Sequence, residues 1–447
     1  MFTGCSWSFD LLGKFHDAIS KIALDDLELD IYPNQIEIIS AEQMLDAYSC
    51  AGLPLMYHHW SFGKQFVRDE SNYRKGRSGL AYEIVINSNP CISYNMEENS
   101  MAMQILVMSH AAFGYNHFFK NNYLFRDWTD ASLIHDYLAF AKSFIAQCEE
   151  EHDVEEMEAV LDAAHASRDQ GVFRYGRAAQ PTSKEGEAMQ CLRDQYVTQK
   201  NVQIPEGNIL YFLEKHSPVL RPWQRQVICI VRFLAQYLYP QKQTKIINEG
   251  CATFVHHYIV NRLYETGQIT QGTFLEIIHN HTNVIAQPGF DSPHFSGLNP
   301  YALGFAMMQD IRRICEKPTR EDFEWFPNFA GNDDWTGVLR DAWRNYRDDS
   351  FILQFLSPHL IREFKLFTIT DNAKQPNLIV SRIHNREGYR NIRRMLAKSY
   401  DVACLEPGIQ VVDANMSGDW ELKLSHTVHD GIQLDKQNRV EILNYIK

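Results

Sequence analysis

The chain has 447 residues, 45% of them hydrophobic, 12% aromatic and 22% charged, which excludes a disordered, collagen-like or low-complexity polypeptide and supports about three domains at roughly 150 residues each. Lys and Arg number 43 against 56 Asp and Glu, a net charge of −13, so no nucleic-acid partner is expected. No run approaches the ~18 uncharged apolar residues of a membrane span, so no transmembrane segment is expected either.

The first residues carry no basic stretch ahead of an apolar block, so no secretory signal is read there. Nine Cys are scattered singly with no Cys-x-x-Cys, which supports neither a disulfide framework nor a zinc ribbon and fits the cytoplasm. Leu11, Leu12, Phe15, Ile19 and Ile22 recur at spacings of three and four and predict an amphipathic helix over 9–22. A second is expected over 41–51. The β-branched run 81–94 reads as a strand, the one convincing strand in the first three hundred residues. A long helix is expected over 96–121 and one or two more over 131–166, where the acidic run from Glu149 forms a solvated face. Residues 167–205 lose periodicity and read as a long surface excursion. Helices are expected again at 208–215, at 222–239 where Pro240 ends the pattern, and at 244–266, 271–279 and 300–315; a loop dense in turn formers fills 287–300. Beyond residue 363 the period changes to two. Strands are read at 364–370 and 377–383, a helix with a solvated basic face at 386–400, and a hairpin over 409–414 and 420–425. The expected fold class is α+β, with a helix-rich main domain over 1–363 and a small α+β domain over 364–447.

Two helices combine His with other groups able to bind a metal or move a proton. His110 and His117 are seven apart, two turns of an ideal helix, so both project from one face; that is too far for an ordinary ligand pair unless the helix distorts near Gly114. Asn116 adds polarity to the same region. Glu249 lies among Ile246, Ile247, Ala252, Phe254 and Val255, and a buried carboxylate needs a cation, a metal or a proton. His256 is again seven residues on, and Gly250 and Ala252 leave room for a close neighbour. His279 and His281 form a third, weaker cluster, followed by Asn299 and Tyr301. The run Tyr57, His58, His59, Trp60 is expected to wall the same cavity, with Asn87, Tyr115, Asn116, Asn299 and Tyr301 as further lining residues. A phosphate loop, a G-x-S-x-G elbow and a complete H-E-x-x-H are all missing.

The stretches Tyr57 to Lys64, Gly79 to Pro90, Phe118 to Asn122, Asn248-Glu-Gly, Asn299 to Gly304 and Phe351 to Pro358, in this order, resemble the SpoVR family, stage V sporulation protein R and its relatives in non-sporulating bacteria. The resemblance runs from about residue 5 to the C-terminus. It implies a cytoplasmic bacterial protein linked to spore-cortex and cell-wall formation or to stress physiology, with a PrkA-type serine kinase and a von Willebrand-type protein as partners. The segment Ile247 to Phe254 is also similar to the N-E-G-x-A-x-[YF] helix of gluzincin metallopeptidases, in which the Glu is the third zinc ligand. That likeness implies a zincin-like main domain holding zinc or another divalent transition metal among His110, His117, Glu249 and His281, with Glu249 and His256 as catalytic groups hydrolysing an amide or peptide bond. Ala111 and Gly114 stand where the gluzincin base and second His belong, and Tyr115, Cys251 and Val255 depart from the SpoVR pattern. Those departures keep a second reading open, a non-catalytic scaffold that docks a partner of the kinase system.

Overall fold

A computed structural model describes residues 6–50, 53, 56–75, 82–174, 206–289, 292–370, 379–381, 385–406, 408–415, 421–428 and 433–446. Helices dominate, and the strands gather into small sheets of three, two and two, in keeping with the α+β expectation. Among the described residues no helix is long and apolar enough to cross a membrane. The chain divides into two units, one of residues 1–48, 72–127 and 243–401, the other of residues 49–71, 128–242 and 402–447.

In the first unit the helix Phe9–Lys21 starts under the Ser8 hydroxyl and buries Leu12, Phe15 and Ile19 at helical spacing. The run read as one strand is two, β2 (Glu83–Ile86) and β3 (Cys91–Met96), paired antiparallel across the turn-forming residues between them. A strand not foreseen, β1 (Asn34–Ile39), lies parallel to β3 on its other side; its alternation, with Ile36 and Ile38 between Gln35 and Glu37, spans only six residues. The expected 96–121 helix is α-helical over Met101–Val107 and Asn116–Asn121 but π-helical over Met108–Tyr115.

The helix Lys245–Glu265 runs through the core, burying Ile246, Ile247, Phe254, Val255 and Ile259. Its first turn is held by the buried Asp348 carboxylate, which accepts from the Ile246 and Ile247 amides at 3.0 and 2.9 Å. Two close approaches seat it. A Cβ built on Gly250 would lie 2.6 Å from the Gly304 carbonyl carbon on the helix Pro300–Glu316, and one on Gly114 would lie 2.6 Å from Ala252 Cα. The small residues at 250 and 252 thus admit neighbouring helices, as their size suggested.

Four short helices, Arg320–Trp325, Trp335–Asn345, Asp348–Phe355 and Pro358–Glu363, follow. The helix Arg386–Tyr400 also belongs to this unit, because Tyr389, Ile392 and Ala397 enter its core and the Arg393 guanidinium donates to the Leu356 carbonyl. Residue 364 is therefore not where the units part. A short antiparallel pair joins β4 (Thr368–Thr370) and β5 (Ile379–Ser381); the turn expected at 371–376 lies outside the described residues.

The second unit holds the helices Ile134–Glu151, Val154–Ala166, Ile209–His216, Pro222–Gln243 and Lys436–Ile446 and the hairpin of β6 (Gly408–Ala414) with β7 (Leu422–Thr427). Pro240 does not end its helix. The missing amide of a proline costs one backbone bond, but Tyr239 and Gln243 are buried and carry the last turn past it. Most of the excursion, 175–205, and the hairpin turn at 416–419 lie outside the described residues.

Candidate functional site

The π-helical segment decides which side chains meet. Hydrogen bonds from i to i+5 widen the turn, so residues five apart stack where an α-helix stacks those three and four apart. His110 accordingly sits against Tyr115, edge-on with ring centroids 4.7 Å apart. The same widening turns His117 away. Its Nδ1 lies 3.0 Å from the Asp30 backbone and its ring stands edge-on to Trp343, so the shared His110–His117 face expected from α-helical spacing is not formed.

Glu249 is the centre of the cluster. The Tyr115 hydroxyl donates to its Oε2, the Tyr301 hydroxyl is a second hydrogen-bonding partner of Glu249, and His110 Nε2 stands 4.0 Å from the same oxygen. Glu83, at the start of β2, is close enough to act electrostatically on Glu249, Tyr115 and Tyr301. Burial drives the chemistry of these groups. It raises Glu249 to about 7, against the two tyrosine hydrogen bonds and the more distant Lys245 charge, and raises Glu83 to about 8 with help from the Glu249 charge. It also lowers His110 to about 3 although the Ala252 carbonyl accepts from that ring, and it pushes the Tyr115 and Tyr301 phenols well up. The side chain of Glu249 keeps 15% of its surface exposed and that of His110 only 4%, so the carboxylate meets solvent more than the imidazole does. Behind it, His110 Nδ1 lies 2.8 Å from His256 Nδ1, and His256 Nε2 lies 2.8 Å from His281 Nδ1.

A zinc centre needs donors converging at about 2.0–2.3 Å on one point. Of the expected set only His110 and Glu249 face each other. His117 is committed to Asp30, and His281 stands behind His256, whose two nitrogens are both engaged. Among the described residues no group of three or more His, Cys, Asp or Glu is placed to hold a metal ion. The expected donor set therefore does not fit a metal.

The other lining residues have separate duties. Asn116 donates to Tyr32 O at 2.9 Å and to Asn34 Oδ1 at 2.7 Å, bracing the π segment against β1. Asn299 caps the Pro300–Glu316 helix, accepting from the Tyr301 amide at 3.0 Å while its amide donates to Val284 O. Asn87 is buried just after β2. Tyr57 and His59 belong to a cluster in the second unit: the Tyr57 hydroxyl meets His165 Nε2 at 2.7 Å, His59 Nε2 meets Asp162 Oδ1 at 3.1 Å, and the His59 and His165 rings stack 4.4 Å apart. His58 is exposed. The residue that sequence reasoning missed is Glu83; its signal was a lone acid opening the otherwise apolar run Ile84, Val85, Ile86.

Comparison with known proteins matches the chain over nearly its whole length. The family described as "SpoVR like protein" matches residues 6–204 and 193–405, and "SpoVR-like C-terminal domain" matches residues 407–447. The chain is 49% identical over 466 residues to a protein of Escherichia coli K12 printed as "Uncharacterized protein YcgB", covering 99% of this chain and 91% of that one. No solved structure matches. The step between the two family regions falls near residue 401, where the first unit closes.

Proposed function

The chain belongs to the SpoVR family, and on that premise we propose that it is a cytoplasmic acid–base hydrolase of amide or peptide bonds, with cell-wall precursors as its substrate class. One observation carries the reading: a half-buried carboxylate, Glu249, gripped by two phenols and flanked by a second raised carboxylate, with no Lys or Arg bonded to it among the described residues. Ionisable groups gathered in this way are costly to bury and mark sites where protons move. A base near 7 is matched to neutral pH. In the proposed step Glu249 takes a proton from water as the water oxygen bonds to the substrate carbonyl carbon. The Tyr115 and Tyr301 hydroxyls turn from Glu249 to the developing oxyanion. Glu83, which holds its proton longer, gives it to the leaving nitrogen as the carbon–nitrogen bond breaks.

The test is release of amino groups from lysozyme-digested peptidoglycan by the full-length protein, with and without added zinc, set against Glu249→Gln. Release should be fastest near pH 7.5, between the values of about 7 for Glu249 and about 8 for Glu83, and should fall ~100-fold or more in the variant. A parent no faster than Glu249→Gln under either condition overturns the hydrolase reading and leaves the partner-docking scaffold in its place.

A further inference from the structure

A neutral imidazole carries one N–H and one lone pair. Both nitrogens of His256 face another imidazole, at 2.8 Å each, so it donates with one and accepts with the other. The row His110, His256, His281 then has two arrangements of its protons. In one, they sit on His110 Nε2, His256 Nδ1 and His281 Nδ1. In the other, they sit on His110 Nδ1, His256 Nε2 and His281 Nε2. At one end His110 Nε2 lies 4.0 Å from Glu249 Oε2, and the Ala252 carbonyl also faces the His110 ring. The other end, at His281, stands 5.0 Å ring to ring from His257, which is half-buried and whose nitrogens lie by the Asn261 and Gln309 amides.

We propose that this row is a proton relay that drains the Glu249 site to the His257 side of the Lys245–Glu265 helix. The carboxyl proton of Glu249 passes to His110 Nε2 through one water bridging their 4.0 Å gap, as the His110 Nδ1 proton passes to His256 Nδ1, the His256 Nε2 proton to His281 Nδ1, and the His281 Nε2 proton to a water on the His257 side. Each ring stays neutral throughout and Glu249 is left as a carboxylate. Because each nitrogen of His256 faces another imidazole nitrogen at 2.8 Å, the protons can shift along the row without any ring becoming an imidazolium. The groups that bear on it are Tyr115 from the π segment, Tyr301 from the Pro300–Glu316 helix, Glu83 from β2 and Lys245 at the near end, with His257 at the far end. His256 is on this account a positioning residue, acting on substrate only through His110 and Glu249.

The inference rests on Glu249 as the base of the proposed function and adds the path by which its proton leaves, but its test needs no turnover. In the full-length protein labelled with 15N-histidine at pH 7, a relay ring exchanges between both arrangements. The two His256 nitrogens should then resonate between the protonated and bare positions, with 15N–15N couplings across both bonds. Glu249→Gln removes the proton source, and His281→Gln keeps a hydrogen-bonding group but cannot pass a proton through a ring; in each, His256 should settle into one tautomer. Three rings held together only for packing would show one fixed tautomer in the parent, and that result, or mixed signals that persist in Glu249→Gln, overturns the relay. Should His281→Gln fail to fold, Glu249→Gln decides alone. Exchange without hydrolysis removes the proposed function only, and hydrolysis with a fixed tautomer removes the relay only.

Discussion

The contact between Gly250 and Gly304 makes a quantitative prediction about what holds the site together. A Cβ on Gly304 would sit 2.8 Å from Gly250 Cα and 3.0 Å from Gly250 N, and nearer still to the Ile246 carbonyl oxygen. Carbon atoms pack best at about 3.5–4.0 Å. All three obstacles are backbone, so no side chain can swing aside, and Gly304→Ala must part the Lys245–Glu265 and Pro300–Glu316 helices by roughly 1 Å. Overpacking of this kind costs about 3 kcal/mol at its upper end, while Ala in place of Gly within a helix returns about 1 kcal/mol, for a net loss of about 2 kcal/mol. Gly13→Ala supplies the control, since nothing lies within 4 Å of a Cβ there; it should stabilise by about 0.5–1 kcal/mol. Urea titration of both variants reads the difference, followed by circular dichroism at matched protein concentration. Tyr301 is three residues before Gly304 and Glu249 immediately precedes Gly250, so Gly304→Ala should also weaken the Tyr301–Glu249 bond and move the Tyr301 ring resonances. If Gly304→Ala proved as stable as the parent, or gained what Gly13→Ala gains, the two helices would not be in backbone contact and the seating of Glu249 would need another explanation.

Asp348→Ala leaves the Ile246 and Ile247 amides without their acceptor inside the core; it should cost about 3 kcal/mol by urea titration, against about 1 kcal/mol for Asp348→Asn, which keeps one oxygen. Stability should be greatest near pH 6. Glu83, Glu249 and Asp348 are raised by burial to about 8, 7 and 7, so their contribution is complete below the ordinary carboxylate value of about 4 and is lost as pH rises through those values. His110, His117 and His281 are lowered to about 3, 4 and 4, so theirs is present above about 6.5 and is lost as pH falls. Thermal midpoints that climbed steadily from pH 6.5 to 8.5 would contradict this balance, and Glu83→Gln should flatten the alkaline side. Tyr115→Phe removes one hydroxyl from Glu249 and should raise the Glu249 titration further, seen as an alkaline shift of its 13C carboxyl resonance; an unchanged or acid-shifted midpoint would mean the phenol does not stabilise the charged form.

What could be read in advance follows from which interactions are local. The helices Phe9–Lys21 and Arg386–Tyr400 were legible because their apolar residues keep one spacing from cap to cap, and Glu249 stood out because an acid among Ile246, Ile247, Phe254 and Val255 has no bland surface role. The small residues beside it announced close packing, which Gly304 and Gly114 supply from distant parts of the chain. The site itself was misread by a single step of register. Between Met108 and Tyr115 the composition is that of any apolar helix, and no pattern of residue types distinguishes a π-helical turn from an α-helical one. The widened turn is selected by tertiary contacts: Gly114 pressed onto Ala252, Asn116 tied to Tyr32 and Asn34, and His117 tied to Asp30. With α-helical spacing His110 and His117 share one face two turns apart, and the metal reading needs both the N-E-G-x-A likeness and a distortion near Gly114 that would bring them together. With the turn widened, Tyr115 moves into that place, His117 becomes a brace, and the acid beside His110 is held by phenols. The place of Tyr115 and the lack of a converging ligand set among the described residues go together, since the residue that the wide turn brings over His110 is a hydrogen-bond donor to Glu249. The proposed proton chemistry therefore rests on Glu249, Glu83 and the imidazole row and not on the spacing of histidines.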